Sequence, residues 1–336
     1  MRELRGDQAG IVVGLHLPLR VAGAVLVPGG RIVVEFISDN AGLVAMFADN
    51  WAEAGMGQEP DATLYALARP ARAYGLDETW DEARWWSPAD KTMIAFGFGA
   101  YRLAKVCVRG ICSAVSADDI LFLHGCALSV GRENASRGVV ITGNSGAGKT
   151  TLVSRLLDHP EFQLRVINDD WGAVSLRSGS ACSTGERKLH MKRGSVLALR
   201  PDFFASAPAG SYSYDSSEPD RTARLLASPE RVYGPSWTSR TVAIEHVAVL
   251  VREPPNWVPP GQNDEAVRFL RNGGFSENLH QHEMFFNGSL ILRTAGDGRR
   301  EEEHYRRLLN RTTVSWINNC DTPDMLAENF LSAIFK

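Results

Sequence analysis

Chemistry is first legible in the stretch Gly143-Asn144-Ser145-Gly146-Ala147-Gly148-Lys149-Thr150. It fits G-x-x-x-x-G-K-[ST], the phosphate-binding P-loop. Glycines let backbone N–H groups converge on phosphate oxygens without Cβ clashes, and the positive end of a following helix faces the anion. Lys149 is placed to neutralise β- and γ-phosphates, the Thr150 hydroxyl to ligate Mg²⁺, and Thr151 continues the binding run. The chain has 31 Gly in 336 residues, and only 6 of its 36 basic residues are Lys. At that composition roughly 0.006 chance matches are expected. The competing explanation is a Gly-rich strand-to-helix turn with an exposed Lys.

Phosphoryl transfer also needs a carboxylate for the metal and a base for the acceptor hydroxyl. Asp169-Asp170 end the next apolar run, twenty residues after Lys149. Strand ends of a parallel sheet converge on the ligand edge, and a bend there brings both carboxylates inward. An acidic turn that only stops the strand is the alternative. His124 lies in the apolar run 120–130. If that run pairs with 138–143 around a turn at 131–137, Val130 opposes Gly138 and His124 opposes Asn144. The imidazole then sits at the mouth of the loop, able to hold or polarise an Asp; a satisfied core histidine is the other reading.

These residues need elements to hold them. GVVIT (138–142) reads as the strand before the loop, and 149–159 as the helix after it, with Leu152, Leu156 and Leu157 inward. LRVINDD (164–170), AVSLRS (173–178) and IEHVAVLV (244–251) read as further strands, and 263–272, 300–310 and 322–335 as helices. Residues 21–37 read as a hairpin turning at Pro28-Gly29-Gly30, followed by a helix with Asn40 as N-cap and Gly55 as its stop. Residues 56–92 look irregular, 98–117 helical, and 202–222 loop-like. The expected architecture is α/β: a P-loop mixed sheet with flanking helices over 116–336, and a smaller α+β domain over 1–115 for acceptor selection or assembly.

Composition excludes a mainly disordered chain, a collagen-like repeat and a coiled coil: 44% of residues are hydrophobic and 22% charged. A net charge of −3 offers no basic field for nucleic acid or anionic lipid. Five cysteines without C-x-x-C spacing fit a reducing cytoplasm better than a disulfide framework. MRELRGDQAG has no apolar leader and no window suits a membrane span, so a cytoplasmic location is expected. A homo-oligomer is left open.

The ordered set His124-Gly125, GNSGAGKT and Asp169-Asp170 resembles the HPr kinase/phosphorylase family, a bacterial kinase fold related to phosphoenolpyruvate carboxykinase. The resemblance covers roughly 118–200. It implies transfer of phosphate from ATP to a hydroxyl, with Mg²⁺. It also implies that one Asp is the general base and the other holds metal: Asp169 and Asp170 respectively, or the reverse. Lys192-Arg193-Gly194 stands where the family has an Arg-Gly signature, so Lys192 and Arg193 are candidate nucleotide contacts; a solvated basic turn is the alternative. Thr150-Thr151 replaces the family's Ser-Glu, and residues 1–115 differ from its N-terminal domain. The implied acceptor is therefore a small hydroxylated molecule or a peptide serine rather than HPr. A non-catalytic ATP-binding module and a carboxykinase-like lyase are the alternative functions. Arg231 as a phosphate clamp, His280-Gln281-His282-Glu283 as a metal cluster, and Trp80, Trp85 and Trp86 as a stacking site are weaker candidates. Surface or interface roles suit them better.

Overall fold

The structure is a computed structural model. It describes residues 17, 19–55, 57–74, 84–96, 101–132, 135–143, 146–199, 202–206, 212–214, 224–238, 241–254, 258, 263–271, 295–319 and 322–335. Trp80, Asn144, Ser145 and the 280–283 cluster lie outside the described residues, as do the side chains of Trp85 and Lys192. The chain is mixed α/β. No described helix is long and apolar enough to cross a membrane.

The N-terminal part builds a six-stranded sheet in the order β3-β1-β2-β4-β6-β5. Its strands are β1 (Leu19–Val27), β2 (Gly30–Ser38), β3 (Ala52–Glu53), β4 (Ala62–Ala66), β5 (Arg84–Ser87) and β6 (Thr92–Ala95). Helices α1 (Ala41–Asn50) and α2 (Tyr101–Val115) accompany it. The hairpin and the cap are as read: β1 and β2 pair from Leu19↔Ser38 to Val27↔Gly30, and Asn40 Oδ1 accepts from the N–H groups of Gly42 and Leu43. Two expectations need correction. Helix α1 stops at Asn50, not Gly55, because Trp51 takes extended backbone to open β3. Within 56–92, expected to be irregular, the described residues hold β4 and β5, with β6 beginning at Thr92. These strands are only four or five residues long, and the buried alternation of Ala62, Leu64 and Ala66 is hidden by flanking turn residues.

The larger sheet runs β15-β11-β10-β7-β8-β16-β17, with β9 also on β7. Its members are β7 (Ile120–Arg132), β8 (Ala135–Gly143), β9 (Gln163–Asn168), β10 (Trp171–Ser175), β11 (Ser180–Ser183), β15 (Val242–Ala243), β16 (His246–Val251) and β17 (Thr313–Asn318). Helix α3 (Lys149–Leu157) follows β8. A small sheet, β12 (Leu189–Lys192), β14 (Arg224–Ala227) and β13 (Tyr212–Tyr214), is accompanied by α4 (Arg193–Leu199), α5 (Phe203–Ser206) and α6 (Pro229–Tyr233). Helices α7 (Asn263–Arg271), α8 (Ala295–Leu309) and α9 (Pro323–Ile334) complete the described elements. Strand β17 was not anticipated, and parts of 202–222 form α5 and β13 rather than loop.

Three apolar cores follow from the period of two along β7. Its even-numbered residues share one face. Ile120 and Phe122 pack with the N-terminal sheet and α2, whereas Cys126, Leu128 and Val130 pack under α3 and α9. The odd-numbered Leu121, Leu123 and Ala127 face α7 and α8. The first core joins Phe36, Phe47 and Trp51 to Trp171 and Cys182, so apolar packing is continuous across residue 115. His124 occupies the seam between the first two cores on the even face of β7.

Candidate functional site

Strand β7 is the hub of the site. It pairs antiparallel with β8 on one edge and with β9 and β10 on the other. Strands β8 and β9 therefore run in the same direction with β7 between them, and their C-terminal ends open on the same side. Antiparallel β7 flanks β8 on this edge, as the hairpin reading expected, and β16 is its parallel partner on the other. The hairpin register differs by one from expectation. The pairing runs on to Arg132↔Ala135, so Val130 opposes Arg137 rather than Gly138. On the β8 side His124, one step beyond the Gly125↔Thr142 pair, is level with Gly143 rather than Asn144; on the other edge it lies across from Trp171 of β10.

The described residues of the glycine-rich run 143–150 lie between the end of β8 and the first turn of α3. Gly143 has φ 147, and a Cβ there would stand 2.2 Å from the carbonyl oxygen of Leu250 on β16. Gly148 caps α3 at φ 102 without a side-chain cap, leaving the first-turn N–H groups unclaimed by any capping side chain. A Cβ at Gly148 would meet Asn319 Nδ2 at 2.3 Å, the group that donates to the Ala147 carbonyl at 2.7 Å. Asn319 thus buttresses the loop from the end of β17. Gly146 is also at positive φ, 87°. Lys149 Nζ donates to the Gly143 carbonyl at 2.8 Å. Burial lowers the Lys149 pKa, while the charges of Asp170 and Asp169 oppose that shift. Thr150 and Thr151 follow in the same turn, each half-buried.

The two aspartates sit between β9 and β10. The register that pairs Ala127 with Asn168 and His124 with Trp171 leaves Asp169 across from Cys126 and Asp170 across from Gly125. Alternation should send the two side chains to opposite faces. Asp170 escapes it: its φ is +75, and the Trp171 N–H donates to the Asp169 carbonyl at 3.0 Å. A hydrogen bond from residue i+2 back to i over a positive φ is the rare, strained form of γ-turn. It turns the Asp170 carboxylate to the face of His124, where Oδ1 lies 3.0 Å from His124 Nε2 and Oδ2 accepts from Arg109 Nη2 at 2.7 Å. Asn168 anchors the start of the turn, accepting from the Ala127 N–H at 3.0 Å and donating to the Gly125 carbonyl at 2.9 Å.

The surroundings divide the pair chemically. Burial pushes Asp169 up to about 6; the adjacent Asp170 charge adds to this, and Tyr233 and Lys149 counteract it only in part. The Tyr233 hydroxyl is buried close enough to feel the Asp169 charge, but it makes no hydrogen bond of good geometry. Burial alone would raise Asp170 too, yet Arg109, His124 and Lys105 hold it well below the ordinary carboxylate range. The Asp170 side chain keeps 45% of its surface accessible. His124 is shifted down by burial and by Lys149, against Asp170. The neutral imidazole is favoured, with Nε2–H donating to the carboxylate.

The structure thus brings His124, Lys149, Asp169 and Asp170 together, as the sequence suggested. Arg193 is exposed, with its guanidinium 5.8 Å from the Phe204 ring centroid, and Arg231 is exposed on α6. Trp86 packs against the first core. Sequence reasoning missed Lys105, Arg109, Glu186, Tyr233 and Asn319. Lys105 and Arg109 carried a signal, as two cations one turn apart on an apolar helix, Lys105 being one of only six lysines. Tyr233 and Asn319 carried none. In comparisons with known proteins, no family model and no curated sequence matches this chain.

Proposed function

We propose that the chain is an ATP-dependent phosphotransferase with a P-loop kinase fold, moving the γ-phosphoryl group to a hydroxyl of a small molecule or a peptide serine. The observation that carries this reading is geometric: the helix-opening Lys149 lies near enough to Asp169 and Asp170 for their charges to act on it, with Asp170 held by His124 and Arg109. Backbone N–H groups of 144–149 hold the phosphates, and Lys149 exchanges the Gly143 carbonyl for a phosphate oxygen. Asp169 takes the acceptor proton as the acceptor oxygen forms its bond to phosphorus and the bond to ADP breaks. A carboxyl near 6 is ionised at neutral pH yet basic enough to share a proton in flight. Asp170 remains an anion held by Arg109 and His124.

Thr150 and Asp170 are hard oxygen donors of the type Mg²⁺ prefers, and Asp170 retains lone pairs beyond its two contacts. Mg²⁺ held by them would neutralise phosphate charge. Cys107, Cys112, Cys126 and Cys182, buried and outside any disulfide among the described residues, suit a reducing cytoplasm, where ATP and Mg²⁺ are abundant. Neither nucleic acid nor membrane is a required partner.

The test is calorimetric binding of ATP with Mg²⁺, followed by ADP release across a panel of serine peptides and small alcohols. Acceptor-dependent release that falls at least ~10³-fold in an Asp169→Asn, Asp170→Asn double variant is expected. Full activity of that variant, or absence of nucleotide binding, sinks the proposal. Binding without acceptor-dependent release identifies a regulatory module, and oxaloacetate-dependent ADP formation a carboxykinase-like lyase.

A further inference from the structure

We propose that Arg109, carried by α2, is a positioning residue that fixes the Asp170 carboxylate for catalysis; the catalytic part of this inference rests on the phosphotransferase reading above. Its Nη2 bridges two carboxylates, donating to Asp170 Oδ2 at 2.7 Å and to Glu186 Oε1 at 3.1 Å. Only 11% of the Arg109 side chain is accessible, and 7% of Glu186. Lys105, one helical turn earlier, closes on the other Glu186 oxygen. The guanidinium carbon sits 5.1 Å from the Trp171 ring centroid. Trp171 is itself fixed by stacking on Phe122 and by an edge contact with Trp51.

The charge count argues for a role beyond packing. Lys105 alone would neutralise Glu186. The second buried cation is surplus to that pair and is directed at Asp170. The other oxygen of Asp170 is taken by His124 from β7, so the carboxylate is gripped from two elements at once. Such a grip is needed because the backbone at Asp170 has φ +75, a conformation that persists only where its surroundings over-determine it. The N-terminal part therefore completes the site through α2.

The test compares the full-length protein with Arg109→Met and Arg109→Lys. Methionine keeps the apolar stem over Trp171 and removes the charge. Arg109→Met is expected to unfold cooperatively and to keep KM for ATP within about threefold, while kcat falls ~10²-fold. Arg109→Lys is expected to recover at least a tenth of wild-type kcat. In a crystal structure of Arg109→Met, Asp170 is expected to have left His124. An Asp170 still within hydrogen-bond distance of His124 there, or a kcat within threefold of wild type, overturns the proposal. If Arg109→Met does not fold, the crystal structure of Arg109→Lys decides: an unmoved Asp170 beyond reach of the new ammonium also overturns it. Should the wild type show no acceptor-dependent ADP release, the phosphotransferase reading fails while the crystallographic comparison still judges the positioning.

Discussion

Replacing Asp169 by Asn should make the protein more stable at neutral pH and inactive as a phosphotransferase. The magnitude follows from the surroundings of the carboxyl. Burial, reinforced by the Asp170 charge, carries Asp169 from an ordinary 3.8 to about 6. Each pH unit of such displacement corresponds to 1.36 kcal/mol, so the ionised folded state is penalised by about 3 kcal/mol at most. Partial solvent access reduces that to roughly 1–3 kcal/mol. The folded chain binds this proton more tightly than the unfolded chain. The stabilising contribution is therefore complete below pH 3.8 and is lost as pH rises through about 6. Asparagine resembles the protonated acid in size and polarity and does not titrate. The difference in melting temperature between Asp169→Asn and wild type should then be near zero at pH 4 and grow to a few degrees by pH 7.5. Thermal unfolding by circular dichroism across that range measures it. A difference that stays flat with pH, or a variant less stable than wild type at pH 7.5, refutes the assigned state of Asp169.

Three further outcomes test the scaffold. Gly148→Ala should abolish measurable ATP binding by calorimetry, because residue 148 has φ 102 and its new methyl would collide with Asn319 Nδ2 at 2.3 Å; a wild-type Kd would show that the loop tolerates the shift. Asn168→Ala should cost about 2–4 kcal/mol in urea unfolding, since it strands the buried Ala127 N–H and Gly125 carbonyl, and a loss under 1 kcal/mol would count against the anchoring role. Leu152→Ala, at a fully buried position of α3, should cost about 2–5 kcal/mol, measured the same way, and a near-neutral result would mean that α3 does not pack on the second core as described.

What could be read from the sequence has a local cause. The positive-φ glycines at 143, 146 and 148, the Asn40 cap and the 27–30 turn are each specified by residues adjacent in the chain, whose types admit few backbone conformations. Strands β4 and β5 and the full reach of the β7–β8 pairing, out to Arg132↔Ala135, escaped because Pro, Gly and polar residues crowd around them, while strand pairing is decided by partners far away in sequence. The same limit applies to the site. His124, Lys149 and the aspartates sit beside recognisable strands and a glycine-rich loop. Arg109 and Glu186 meet only because the N-terminal sheet shares a core with β7 and β10, a fact that no window of sequence contains. The register error at His124 shows how sharp this limit is: one residue of slip moved its predicted neighbour on β8 from Gly143 to Asn144.

Asp169 and Asp170 are chemically identical, adjacent and on one strand path, yet they hold their protons very differently. Two features of the backbone produce the split. The irregularity between Ala127 and Leu128 in the β7–β9 ladder sets the register that places Asp169 beside Cys126, on the apolar face beneath α3, where desolvation dominates. The positive φ of Asp170 then turns the next carboxylate onto the same face but toward the seam, where Arg109, Lys105 and His124 supply compensation. Each residue strengthens the difference, because an Asp170 that cannot protonate keeps a full negative charge against its neighbour and lifts Asp169 further. A regular strand at 169–170 would have put the carboxylates on opposite faces, relieved their repulsion and left Asp170 out of reach of α2. The strained turn and the buried cation chain therefore depend on each other. The turn directs Asp170 toward Arg109, and Arg109 supplies the hydrogen bond that makes the turn worth forming.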